Sequence, residues 1–400
     1  MSATDVTDAL ADRVPPAADE RPARGLNGNS VLHMVIPAVI YLGVRQFSLV
    51  LLGFLAESKG VRVSDLLRSW DGNWFLAIAE KGYSGVPTTL VDAYGRHTDE
   101  TALAFFPGYP EAVGLLSAIG FSPLASALTV SVASGVVCAY ALATMGELVR
   151  GGSRRVGLIL VALFAGSPMA VSLSMAYSEA LFCALAAWSL VFVLRRQWVA
   201  AGLLCAGAGL VRTTGAALVL AVGLAVLVAV VARKDGWRAW VGGALAPLGL
   251  LGYLGFVAVR TGDLFGWFAL QERGWNSHFD GGVATVTFAV ERLADGRSVL
   301  EVGTVALIGV ALALVGVAIA ARLEWPLLVY GIAVLVMDLG ANGMMGSKAR
   351  LMVPAFTLLV PVAIGLAKRR ASTAVLTVAG LVTAGSWFGA YALTAWGYAI

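Results

Sequence analysis

The chain has 400 residues, 59% of them hydrophobic and 13% charged, about half the charged share of an ordinary soluble domain. With a mean hydropathy of +0.83, that composition excludes a soluble globular enzyme. The formal net charge of +4 comes with no basic stripe suited to DNA or RNA, so no nucleic-acid partner is expected and the basic loops are read as facing anionic lipid.

Residues 1–29 mix Asp5, Asp8, Asp12 and Asp19 with Arg13, Pro15, Pro16 and Pro22. They cannot bury enough apolar area to fold alone and are read as a disordered cytoplasmic tail rather than a signal peptide. Beyond them, apolar runs of about 17–25 residues recur, each long enough to cross about 30 Å of hydrocarbon. They do not alternate as barrel strands would. The fold class is therefore all-α, a polytopic integral membrane domain over residues 30–400.

Crossings are expected at residues 34–56, 124–149, 156–175, 178–194, 198–214, 216–232, 239–259, 299–321, 325–343, 351–367 and 372–394, about eleven in all. The proline-interrupted stretch 103–120 is read as a half-inserted, re-entrant segment; counted as a crossing it would make about twelve. Short arginine-rich connections at 150–155, 195–197, 233–238, 322–324 and 368–370 fall on the cytoplasmic side. Two large loops, 57–102 and 260–298, then face outward. Cys138, Cys183 and Cys205 lie in apolar runs, with neither metal-site nor disulfide spacing.

Arg45 sits in the middle of the first crossing, where an unpaired guanidinium is costly, and should meet a carboxylate or phosphate. In the first outer loop, S-W-D-G-N-W-F-L-A-I-A-E-K-G-Y (69–83) places Trp70, Trp74, Phe75 and Ile78 on one helical face. That pattern predicts an interfacial helix lying on the membrane. Asp71 at its start is either a simple N-cap or a reactive carboxylate. The F-F-P-G-Y-P segment with Tyr109, like Tyr83, reads as an aromatic belt or as part of a substrate wall.

Glu179, in A-Y-S-E-A, can be explained by the helix dipole alone. Arg212, in L-V-R-T-T-G, stands between two apolar runs and must reach water or an anion. His278, with Asp280 two residues on, could serve acid–base chemistry, although a loop histidine is commonly a plain polar residue. Only three histidines are present, so no metal site is expected. Asp338 is an intramembrane acid expected to pair with an arginine. Lys348 and Arg350 form a cationic cluster suited to gripping a phosphate.

Four motifs in register, W-D-G-N-W…A-E-K-G-Y at 70–83, F-F-P-G-Y-P at 105–110, S-P…A-Y-S-E-A-L-F at 167–182 and V-R-T-T-G at 211–215, resemble the phosphatidylinositol-glycan class V mannosyltransferases. These are glycosyltransferase family 76, within the multi-span GT-C group. The likeness covers about residues 30–220 and a further S-K-A-R-L-M-V-P-A-F stretch at 347–356. It implies a GT-C-like bundle and transfer of mannose, with inversion, from polyprenyl-phosphate-mannose to an acceptor hydroxyl on the extracytoplasmic face. It implies Asp71 as general base.

The chemistry then asks for positive charge on the departing phosphate, from some of Arg212, Lys348, Arg350 and Arg45, and for no metal cofactor. Trp70, Trp74, Tyr83, Tyr109, Glu179 and His278 are the candidate substrate contacts. Classical members act on glycosylphosphatidylinositol anchors. The arginine-, alanine- and glycine-rich composition is that of a high-GC bacterium, so the plasma membrane is the expected location and the acceptor is left open among glycolipid, glycan and protein. The alternative is a lipid-linked sugar flippase or transporter, which would spread polar residues along a path through the bilayer instead of gathering them at one face.

Overall fold

The computed structural model describes residues 28–296 and 298–397; the expected N-terminal tail lies outside them except for its last two residues. The chain opens with α1 (Gly28–Ser58), which continues through Pro37. The first loop holds two short helices, α2 (Val63–Leu67) and α3 (Asp71–Lys81). A 3-10 turn at Thr101–Ala104 leads into α4 (Gly108–Ser117). Then come α5 (Pro123–Leu148) and α6 (Arg154–Ala165), whose first turns are capped by the hydroxyls of Ser122 and Ser153.

The central helices are α7 (Glu179–Leu194), α8 (Trp198–Gly209) and α9 (Gly215–Val231). They are followed by α10 (Trp237–Leu245) and α11 (Leu248–Thr261), and by two loop helices, α12 (Gly266–Trp275) and α13 (Val283–Asp295). The chain closes with α14 (Val299–Ala320), α15 (Trp325–Leu339), α16 (Lys348–Leu351), α17 (Val360–Ala367) and α18 (Ala371–Ala395). Extended pairing among the described residues is limited to an isolated antiparallel bridge, Phe279 with Ala341. There the second loop clips onto the end of α15, through Asp280 N to Gly340 O and Asn342 N to His278 O at 2.7 Å.

Among the described residues, five helices are long and apolar enough to cross a membrane, or six if the pair Met345–Leu351 and Val353–Ala367, bent by 49°, counts as one broken crossing. Four apolar runs that the sequence reads as crossings form helices of fewer than 18 residues: α7 of 16 and α9 of 17, close to the expected bounds, and α8 of 12 and α15 of 15, which end earlier than expected. At 1.5 Å per residue these are about 18–26 Å long. Gly209 and the turn to Arg212 end α8, and Gly340 after the Asp338 turn ends α15. The irregular backbone at their ends survives because protein covers it; α7 is buried along most of its length. Likewise 156–175 is not one helix but α6 and a 3-10 turn at Ala170–Ser174.

The stretch 103–120 contains only the ten residues of α4, about 15 Å and half a crossing. Its lead-in, the end of the 3-10 turn and Phe105, is provided with hydrogen bonds by side chains from distant segments. Tyr253 donates to Leu103 O at 2.8 Å, Tyr83 to Phe105 O at 2.8 Å, and Trp267 and Gln271 both donate to Ala104 O, at 3.2 and 3.1 Å. Unpaired carbonyls there would each cost on the order of kcal/mol, so these four side chains hold the segment in one shape.

Close backbone approach locks the bundle. A Cβ on Gly146 would fall 2.4 Å from the Cα of Gly157, and one on Gly202 would fall 2.2 Å from the carbonyl oxygen of Gly242. Only glycine lets α5 meet α6, and α8 meet α10, at that distance.

Candidate active site

α3 begins after a strained turn. Trp70 has φ 49° and ψ −115°, a region that bulky residues seldom occupy. The turn is held from outside: Ala176 N donates to Leu67 O at 2.8 Å, and Tyr177 Oη donates to Ser69 O at 3.2 Å. Gly72 lies so close to Ala176 that a Cβ would stand 3.4 Å from its carbonyl oxygen. The start of α3 is thereby seated against the start of α7, and two acids far apart in sequence become neighbours.

Cations complete the group. Arg350 Nη1 donates to Asp71 Oδ2 at 2.8 Å, and its Nε lies 3.5 Å from Glu179 Oε1. Its guanidinium rests 4.9 Å from the ring centroid of Tyr177, a cation–π shelf. Arg212 Nη1 is 2.9 Å from Glu179 Oε1 and donates to Ser178 Oγ at 2.9 Å. The result is an ionic chain, Asp71–Arg350–Glu179–Arg212. Side-chain exposure orders it: 27% for Asp71, 15% for Arg212, 7% for Arg350 and 0% for Glu179. Asp71 and Arg212 are the ends that a ligand can touch. Glu179 is the hub, and its Oε2 has no hydrogen-bond donor among the described residues.

Other residues singled out in the sequence go elsewhere. Lys348 does not face this chain of charges. Its ammonium donates to the backbone oxygens of Asp338 and Ala341 and lies 3.8 Å from Asp338 Oδ1, with both side chains 3% exposed. It neutralises the carbonyl end of α15, and Asp338 is thus paired with a lysine instead of an arginine.

Arg45 meets no carboxylate among the described residues. It donates to Ser174 Oγ at 2.9 Å, Ser48 Oγ at 3.2 Å and Ala165 O at 3.0 Å, which makes it a buried brace between α1 and the end of α6. His278 is exposed on the clipped loop and takes no part in the ionic chain.

The aromatic candidates build the platform beneath the site. Trp74 is 5% exposed and stacks on Phe105 at 5.1 Å, with His97 beyond it at 6.2 Å. Tyr83 spends its hydroxyl on Phe105 O, and Trp70 packs half-buried on the main core. Tyr109 is fully buried, donates to Ala127 O at 2.9 Å and meets Ser131 Oγ at 2.9 Å. The apolar face of α3, with Trp74, Phe75 and Ile78, is therefore covered by protein and does not lie on headgroups.

Tyr109→Phe is expected to lower stability by about 1–3 kcal/mol, through the buried partners it leaves, and to leave turnover unchanged. Thermal denaturation of purified protein measured beside its activity checks this; a loss of turnover at unchanged stability would return Tyr109 to the substrate wall. Sequence reasoning missed Tyr177, whose neighbours drew the attention, and also Tyr253, Trp267 and Gln271. A tyrosine in the apolar run L-L-G-Y-L-G-F was the available signal for Tyr253.

No protein-family model matches the chain. It is 36% identical over 159 residues to GPI alpha-1,6-mannosyltransferase 2 of Mus musculus, a match covering 37% of this chain and 29% of that protein. Among solved structures it resembles ArnT from Cupriavidus metallidurans bound to undecaprenyl phosphate, with TM-score 0.51 and 16% identity over 90% of this chain and 64% of that one. The apo state of the same protein is matched with TM-score 0.45 and 16% identity, over 80% of this chain and 70% of that one. The fold is of the GT-C type. The chain spans under a third of the curated relative's length and 64% of the ArnT chain. Within this GT-C fold the apolar helices make it an integral membrane protein. Among the described residues no group of three or more His, Cys, Asp and Glu side chains converges as a metal site would.

Proposed function

We propose that the protein is an inverting glycosyltransferase that moves mannose from polyprenyl-phosphate-mannose to the hydroxyl of an acceptor on the extracytoplasmic face. The observation that carries this is the contact between Asp71 and Arg350 at 2.8 Å, at the exposed end of a buried ionic chain. Support comes from the likeness to a mannosyltransferase over part of the chain and from the GT-C fold. ArnT is described bound to undecaprenyl phosphate, and we carry a polyprenyl-phosphate partner over as part of the same reading.

In the resting site Arg350 donates to Asp71 Oδ2 and so occupies one oxygen of the carboxylate. A donor phosphate at this end competes with Asp71 for the same guanidinium. When it succeeds, Asp71 is released toward the acceptor. The acceptor O–H then gives its proton to Asp71, and its oxygen attacks the anomeric carbon from the face opposite the phosphate. The bond from that carbon to the phosphate oxygen breaks, and the electron pair leaves with polyprenyl phosphate. Arg350 and Arg212 stabilise the charge that grows there. As proposed, the step draws its positive charge from guanidinium groups and calls on no metal.

The test is transfer by the purified full-length protein in lipid vesicles. Polyprenyl-phosphate-mannose, polyprenyl-phosphate-glucose and a nucleotide-activated mannose would be offered with a panel of lipid, glycan and peptide acceptors. Mannose should move from the polyprenyl donor alone, with or without a chelator. Transfer only from the nucleotide sugar, or none from any lipid-linked sugar by folded protein, would overturn the reading. Transport of the intact lipid-linked sugar across the vesicle, without transfer, would replace it with the flippase.

A further inference from the structure

The half of the bundle remote from Asp71 carries a second feature. α6 runs from Arg154 toward the segment that ends at Glu179, so its first turn marks the end of the molecule opposite the ionic chain. There α1, α6 and α18 leave a groove of about 930 Å³. Its walls are hydrocarbon, among them Ile40, Phe47, Ile159 and Val375, and Arg154 and Arg155 are its charged lining. Arg155 also donates to Arg369 O at 2.9 Å, which brings the exposed Lys368–Arg370 turn to the same mouth. Along α1 the lining runs from Ile36 to Phe47, about 17 Å of helix. That is about half the hydrocarbon thickness of a bilayer, the depth of one leaflet.

An apolar trough one leaflet deep, with guanidinium groups at its mouth, has the charge and shape complement of a single class of occupant. We infer that the groove between α1, α6 and α18 binds an anionic glycerophospholipid of the leaflet opposite the candidate active site. Its acyl chains lie along α1 and α18, and its phosphate lies at Arg154 and Arg155. The head is gripped by charge-assisted hydrogen bonds, and its charge is attracted by the basic turn. This site would take a resident lipid, not the sugar donor, and it stands whether or not the proposed transfer reaction does.

The experiment uses the full-length protein in nanodiscs containing equal parts of phosphatidylglycerol and phosphatidylcholine, followed by native mass spectrometry of the lipids that stay bound after release. Phosphatidylglycerol should exceed phosphatidylcholine by at least about 5-fold, the preference that a single basic residue near a lipid surface confers. Gly43 lines the groove, and a Cβ there meets nothing within 4 Å, so Gly43→Phe has an open start for a ring that occupies the trough. It should remove the retained lipid. Arg154→Gln with Arg155→Gln should remove the preference for the anionic headgroup. Arg238→Gln, at the same end but outside the groove, should change neither.

Equal retention of both lipids overturns the proposal, as does retention unaffected by Gly43→Phe. A diazirine-bearing residue installed at position 375 identifies the occupant should either variant misfold. A glycerophospholipid adduct supports the inference. An adduct to residues 1–27, to a second copy of the chain or to a polyprenyl lipid overturns it.

Discussion

Asp71→Asn should slow the proposed mannosyl transfer by about 10² to 10⁴, the usual contribution of a positioned general base, while leaving the protein folded. The variant keeps an oxygen that can accept from Arg350, and Asp71 lies at the exposed end of the ionic chain, with 27% of its side chain accessible. Little packing is therefore lost. The kinetic pattern is as telling as the size of the effect. If the donor phosphate must displace the residue at 71 from Arg350, a neutral asparagine yields more readily than a carboxylate, and the KM for donor should stay level or fall as kcat collapses. Steady-state kinetics with varied donor at fixed acceptor separates the two. A drop of less than about 3-fold in kcat would remove Asp71 from the chemistry.

Glu179→Gln should act first on stability. The carboxylate is fully buried, with Arg212 at 2.9 Å and Arg350 at 3.5 Å from one oxygen. An amide of the same shape leaves two guanidiniums facing each other. Breaking a buried ion pair from one side typically costs about 3–5 kcal/mol, because the orphaned charge cannot recover its hydration. Thermal unfolding followed by size-exclusion fluorescence would report the loss. Arg212→Gln placed in the same chain should restore part of it, since removing both partners leaves less charge stranded. Unchanged unfolding in the single variant would mean that the Glu179 carboxylate does not hold the two guanidiniums together, and the ionic chain would then be broken at its centre.

The gross architecture was legible because hydropathy is a local signal: runs of apolar residues name membrane helices wherever they fall. The lengths of α7 and α9 were legible to within a residue, but those of α8 and α15 were not, since apolar composition continues past the point where a glycine or an internal charge turns the chain. At the candidate site, Asp71, Glu179, Arg212 and Arg350 were each visible as charges or caps in apolar surroundings. That Arg212 and Arg350 share one oxygen, Glu179 Oε1, while Arg350 also reaches Asp71, depends on contacts between distant segments that no spacing rule encodes. The same limit explains Lys348. Beside Arg350 in sequence it looked like half of a phosphate clamp, yet helical geometry sends neighbours in different directions, and the ammonium found the carbonyl end of α15. Tryptophan and tyrosine misled for a related reason: a ring that suits a headgroup layer equally suits a buried seat with one backbone partner.

The ionic chain sets two carboxylates against two guanidiniums, so the resting pocket is electrically self-cancelling. Such an arrangement projects little field into the surrounding lipid and does not gather anions from afar. For the proposed donor, discrimination is then left to the moment of touch, when its phosphate has to trade places with an aspartate that already sits on Arg350.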